Sequence, residues 1–221
     1  AFSKLKNFDE AIINFNQAIK INSNYFEAYS NLGNAFINSQ RLDEAMKNFD
    51  KAIKIKPDFA QAYHGKAYIL MKFQKLEEAI KNWNKAIEIK SDFIPAYIER
   101  GHAFATLNRL QEALESYNTA YTLNPNYKFL LGDLIHTNFK LCNWQNEKEN
   151  LEKLKNKILE SEKSSPPFPI LALFDSPDLQ KTSAEIWIKE NFSKENFIKK
   201  INKKESEKKI RIGYYSADYY E

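Results

Sequence analysis

The chain has 221 residues, 43% of them apolar and 14% aromatic, enough to bury a core and too many for a solvated polymer. Its net charge is +4, with 16 basic against 14 acidic residues up to position 125 and 17 against 15 beyond it, so neither half carries the basic footprint of a nucleic-acid binder. A single cysteine, Cys142, leaves no internal disulfide to form, and no apolar stretch approaches the ~20 residues that cross a bilayer.

Only 5 glycines and 7 prolines interrupt the chain, which favours long helices over a turn-rich β architecture. Its first residues, AFSKLKNFDE, lack the features of a secretory signal. The expectation is a cytoplasmic protein that binds neither nucleic acid nor membrane, its oligomeric state unread.

Apolar spacing predicts a leading helix over 8–21, then helices over 26–40, 43–55, 60–73, 76–89, 94–107 and 110–123. They recur in phase. Ala11, Ala45, Ala79 and Ala113 lie 34 residues apart, each after a glutamate, followed by Phe15, Phe49, Trp83 and Tyr117 and then by Ala18, Ala52, Ala86 and Ala120. In the preceding helices Tyr29, Tyr63 and Tyr97 recur, with Gly33, Ala67 and Gly101 four residues later. Small residues recur where two helices must approach closely, and the aromatic fills the gap between hairpins. Each hairpin alone exposes an apolar face, which stacking buries.

This pattern resembles the tetratricopeptide repeat family, with AYSNLGNAF and LDEAMKNFDKAIKIKPD carrying its small and aromatic positions in order. Residues 1–125 then hold three full units and a leading partial one. The resemblance implies a right-handed α-solenoid whose first helices line a concave groove for peptides or proteins. By repeat phase the groove residues are Asn31, Asn34 and Asn38, then Gly65, Tyr68 and Lys72, then Glu99, His102 and Thr106. The family's clamp for a carboxylate terminus is not expected, because Pro95 and Glu99 stand where it needs basic residues. Its asparagine ladder is broken by Gly65 and Glu99. His102 and His136 share one phase and are expected along one groove, while Cys142 reads as a small core residue. No histidine spacing implies a metal site.

After the repeats, residues 126–163 read as an atypical last repeat or capping helices. Leu130, Leu131, Leu134, Ile135 and Leu141 lie at helical spacing, and a charged helix follows over roughly 144–163. SSPPFP reads as a break, opening a linker over 164–208 that holds one helix, 176–192, capped by Ser176 with Pro177 in its first turn. The lysine-rich run 199–209 reads as solvated. In KKIRIGYYSADYY, Ile210, Ile212 and Tyr214 alternate with Arg211 and Gly213, which predicts a strand. A lone strand needs partners, so 209–221 reads as the start of a truncated α/β lobe and the chain as a piece of something longer.

LLGDLIHTNFKLCNW, SPPFPILALFDSPDLQKTSAEIW and KKIRIGYYSADYY, in that order after the repeats, look like the region joining repeats to catalytic domain in O-linked N-acetylglucosamine transferases and their bacterial relatives. The resemblance implies a parent enzyme moving N-acetylglucosamine from UDP-N-acetylglucosamine to serine or threonine hydroxyls, with two Rossmann-like lobes of the GT-B type. It assigns no catalytic residue and no cofactor to this chain, which alone is expected to be inactive. Ser216 and Asp218 would lie near the active-site rim, or simply form the turn that ends the strand. The competing expectation is a non-enzymatic adaptor that binds peptide segments in its groove.

Overall fold

Helix follows helix through the described part of the chain, residues 2–192 of the computed structural model, with side chains placed from residue 8 onward. In chain order these are α1 (Phe2–Ile21), α2 (Phe26–Asn38), α3 (Leu42–Ile55), α4 (Ala60–Lys72), α5 (Leu76–Ile89), α6 (Ile94–Thr106) and α7 (Leu110–Leu123). Then come α8 (Leu130–Lys140), α9 (Glu147–Leu159), α10 (Pro167–Leu173) and α11 (Pro177–Asn191). No strand occurs among the described residues. The predicted strand, the lysine run 199–209, Ser216 and Asp218 all lie outside them.

The first helices of the hairpins, α2, α4 and α6, end where the backbone turns left-handed. Gln40, Gln74 and Asn108, 34 residues apart, hold φ of 59°, 59° and 57°. At the first of these turns the Arg41 amide donates to Phe36 O and the Gln40 amide to Ile37 O, and the other two repeat the pattern. This is the Schellman closure, which satisfies the last carbonyls of a helix and is most often made with glycine. It explains why α2 stops at Asn38, two residues short of the predicted end at 40. Between hairpins, the Asn22 and Asn124 side chains accept from the amides two residues on and tighten the turn.

The in-phase residues fill the core as their chemistry requires. Phe49, Trp83 and Tyr117 are fully buried, as are Ala45, Ala79 and Ala113 and the alanines at 52, 86 and 120. A Cβ on Gly33 would stand 2.8 Å from the Phe49 ring and one on Gly65 2.3 Å, so α2 and α4 both close on one aromatic. Gly101 does the same against Tyr117 at 2.4 Å. Two apolar clusters follow, one centred on Phe49 and one running from Ala60 to Leu134 through Trp83 and Tyr117.

A third cluster corrects the expectation of a linker after residue 163. Leu131, Ile135, Leu154, Ile158, Ile170 and Leu179 share one core, so α8 to α11 pack together. Ser164 and Ser165 keep 5% and 2% of their surface, and two helices, not one, follow them. The prolines start α10 instead of breaking the chain, because proline's fixed φ and missing amide suit a first turn. Helix α11 begins as expected, with Ser176 Oγ accepting from the Leu179 amide and Pro177 behind it. Cys142 is also corrected: it is exposed, in the left-handed residue that closes α8, so it packs into no core.

Candidate functional site

The first helices of successive hairpins, α2, α4, α6 and α8, stand side by side, and the 34-residue phase decides which side chains meet. One face of each carries the packed residues, leaving a polar row on the other. Asn31, Asn34 and Asn38 are exposed on α2. Asn38 meets Tyr68 and Lys72 of the next hairpin around a cleft of about 570 Å³, where the Lys72 ammonium lies 5.1 Å from the Tyr68 ring centre. Gly65 leaves this row: it is buried against Phe49, because the small residue is needed for close helix approach.

Between α6 and α8 the row becomes charged. His102 Nε2 lies 3.0 Å from Asp133 Oδ2, and its Nδ1 lies 3.8 Å from Glu99 Oε2. One imidazole thus ties α8 to α6 with a carboxylate on each side. Burial alone would lower the His102 pKa, but the hydrogen bonds and charges of Asp133 and Glu99 outweigh it and push it up to about 10. With 41% of the side chain open to solvent, part of that attraction is screened; the direction, a charged imidazole at neutral pH, follows from the geometry. For Glu99, burial would raise the carboxyl, but its bond to His102 holds it below the usual range.

The neighbouring groups answer this field differently. Burial raises the Tyr117 hydroxyl well above its ordinary value, and the charges of Asp133 and Glu99 raise it further. His136, in the same phase as His102, is lowered by burial and by Lys140, so near neutrality His102 is charged and His136 neutral. His64 is lowered chiefly by burial and accepts the Trp83 indole N–H at Nδ1, a core partner and not part of the polar row.

Two clefts flank the His102–Asp133 bridge. One, of about 310 Å³, is lined by Pro95, Glu99 and Phe129, with Pro166, Trp187 and Asn191 as its far wall. The other, of about 290 Å³, holds Thr106, His136 and Lys140 with Phe168, whose ring meets His136 edge-on at 5.7 Å. Thus α10 and α11 close the end of the row. No set of three or more His, Cys, Asp or Glu among the described residues is placed to hold a metal.

Of the residues named from the sequence, the structure brings together Asn38, Tyr68 and Lys72, and separately Glu99, His102 and Thr106. Asn31 and Asn34 stand on the adjoining helix. Asp133 was missed, although it lies 34 residues after Glu99 and one more count of the phase finds it. Phe168 and Trp187 carry no such signal, since they arrive with a segment outside the repeat.

Family models agree with this geometry. A TPR repeat model matches residues 1–40 and 67–108, and tetratricopeptide repeat models match 26–59 and 94–127. Among solved structures, the crystal structure of MamA superposes with a TM-score of 0.61 at 19% identity, covering 69% of this chain and 91% of that one. YrrB, described as a TPR protein with an unusual peptide-binding site, superposes with a TM-score of 0.55 at 18% identity, covering 83% of this chain and 86% of that one. At such identities the likeness shows the fold. No curated protein matches the chain.

Proposed function

Taking the chain as a tetratricopeptide-repeat solenoid, we propose that it is a protein-recognition module whose α2–α4–α6–α8 face is a concave groove for an extended protein segment. The observation that supports this is the continuous row of outward polar side chains at constant phase, from Asn31 and Asn34 through Tyr68 and Lys72 to the Glu99–His102–Asp133 bridge. An extended strand presents amides and carbonyls at regular intervals, and such a row meets them with amides, a phenol and charges. The walls supplied by Phe168 and Trp187 offer pockets for apolar side chains at one end. A peptide array probed with the chain, followed by fluorescence anisotropy on the best binders, tests the reading. Tyr68→Ala and Lys72→Ala each weaken binding about tenfold, roughly 1.4 kcal/mol, whereas Glu88→Ala on α5 changes nothing. Binders indifferent to both groove changes would sink the proposal.

The finer reading makes this module the acceptor-recognition arm of a protein O-glycosyltransferase, with UDP-N-acetylglucosamine as donor and serine or threonine hydroxyls as acceptors. Its support is the order of the three sequence blocks after the repeats. The donor site and catalytic residues are assigned to no residue of this chain. Assaying the full product of the gene with labelled UDP-N-acetylglucosamine decides it. Label on protein hydroxyls, lost when the groove is changed, supports the enzyme; a product that binds peptides and transfers nothing leaves a non-enzymatic adaptor.

A further inference from the structure

Another cavity, also of about 310 Å³, lies where the turn before α8, the end of α9 and the 161–164 segment meet. It shares Tyr127 and Lys128 with the α6–α8 cleft but opens among different groups. Lys128, Lys157 and Lys163 line it, along with Asn126 and Ser164. Lys157 pairs with Glu162 at 2.5 Å, while Glu190 bridges Lys128 at 3.1 Å and Lys163 at 2.7 Å. Three ammonium groups thus face two carboxylates, leaving one positive charge unmatched.

Two further features turn that surplus towards a ligand. At the N-terminus of α8 the Phe129, Leu130 and Gly132 amides donate to the Lys163, Tyr127 and Ser164 carbonyls, and the Leu131 amide, beside this cavity, has no partner among the described residues. A helix N-terminus carries partial positive charge and free N–H groups, so it favours an oxyanion. Independently, the Ser164 hydroxyl is buried with no hydrogen-bond partner among the described residues, although the residue lines the same cavity. A buried hydroxyl left unmatched costs about 1–3 kcal/mol, so something is expected to meet it. The end of α9, whose carbonyls would repel an anion, is already closed: the Glu162 and Ser161 amides bond to Lys157 O and Ile158 O.

We propose that this cavity binds a phosphate group, held by the Leu131 amide in the first turn of α8, the Ser164 hydroxyl and the Lys157 and Lys128 ammonium groups. A water would satisfy the hydroxyl but not the unmatched charge; a phosphate does both. The group is either free phosphate or one carried on a serine or threonine side chain. The proposal is independent of what the groove binds.

Titration of the chain with inorganic phosphate, at ionic strength matched with chloride, tests it through the Leu131 amide resonance and the thermal midpoint. The expected result is a saturable Leu131 shift and a midpoint rise, both weakened about tenfold in Lys157→Gln and weakened also in Ser164→Ala. The Lys128 side chain is about half exposed, so Lys128→Gln, expected to weaken both responses as well, keeps the test informative if Ser164→Ala loses the fold. N-acetyl-phosphoserine amide run in parallel separates the sources: tighter binding than phosphate assigns a carried group, equal or weaker binding the free ion. A response no larger than that to chloride, or one unchanged in Lys157→Gln, overturns the proposal.

Discussion

Replacing Gly132 by alanine tests the docking of α10 and α11 most directly. Gly132 lies in the first turn of α8, and its amide donates to Ser164 O at 3.0 Å. An added Cβ would stand 1.9 Å from Ser165 Oγ, 2.3 Å from its Cβ and 2.9 Å from its Cα. The hydroxyl can rotate away, but the other two atoms yield only if backbone moves, by about 1 Å to reach ordinary contact. Overpacking of this kind costs about 1–3 kcal/mol. Losing the Gly132–Ser164 hydrogen bond adds about 1 kcal/mol. Alanine's better helix propensity returns at most about 1 kcal/mol. The net loss is about 2 kcal/mol, a fall of roughly 4–8 °C in the thermal midpoint for a body of this size. Thermal unfolding gives the midpoint, and amide exchange locates the damage, which should appear first in α10 and α11. An unchanged or higher midpoint with those helices fully protected would refute the reasoning, since the 164–165 segment would then not lie on Gly132.

Gly65→Ala should cost about 1 kcal/mol net, because Phe49 is held between α2 and α4, and the loss should vanish in a Phe49→Leu background. A double-mutant cycle with no coupling would count against the shared ring contact. Gln40→Gly and Gln74→Gly should each raise stability by about 0.5–1 kcal/mol, since glycine adopts the left-handed closure without strain; urea midpoints that fall would contradict this. His102 has its folded pKa raised from 6.5 to about 10, so its contribution is complete below pH 6.5 and is lost as pH climbs towards 10. Screening leaves about 1 kcal/mol of it. Wild type should therefore lose that much relative to Asp133→Asn across this window, and parallel curves for the two would remove the bridge from the account.

The helices and their order were legible because each repeat states the same physical requirement locally. An alanine where helices cross, an aromatic four residues on and a polar turn do not depend on distant chain, so counting in steps of 34 finds them. Counting also located Tyr68, Lys72, Glu99 and His102 on one face. It failed at Gly65, where phase says groove but the backbone needs a residue without a side chain against Phe49. The apolar face of the helix before it misled at Cys142, whose left-handed φ of 55° closes α8 and leaves it exposed.

By itself, then, the sequence determined that this protein is a stack of helical hairpins with a polar row along its first helices, since periodic local chemistry leaves no other way to bury the apolar stripes. Only the tertiary structure decided that Ser164 and Ser165 are buried, that two prolines start a helix against α8, and that Trp187 and Phe168 wall the end of the row. Those contacts join residues 30 to 90 positions apart with no repeat to relate them, and their geometry follows from how α8 to α11 fit together.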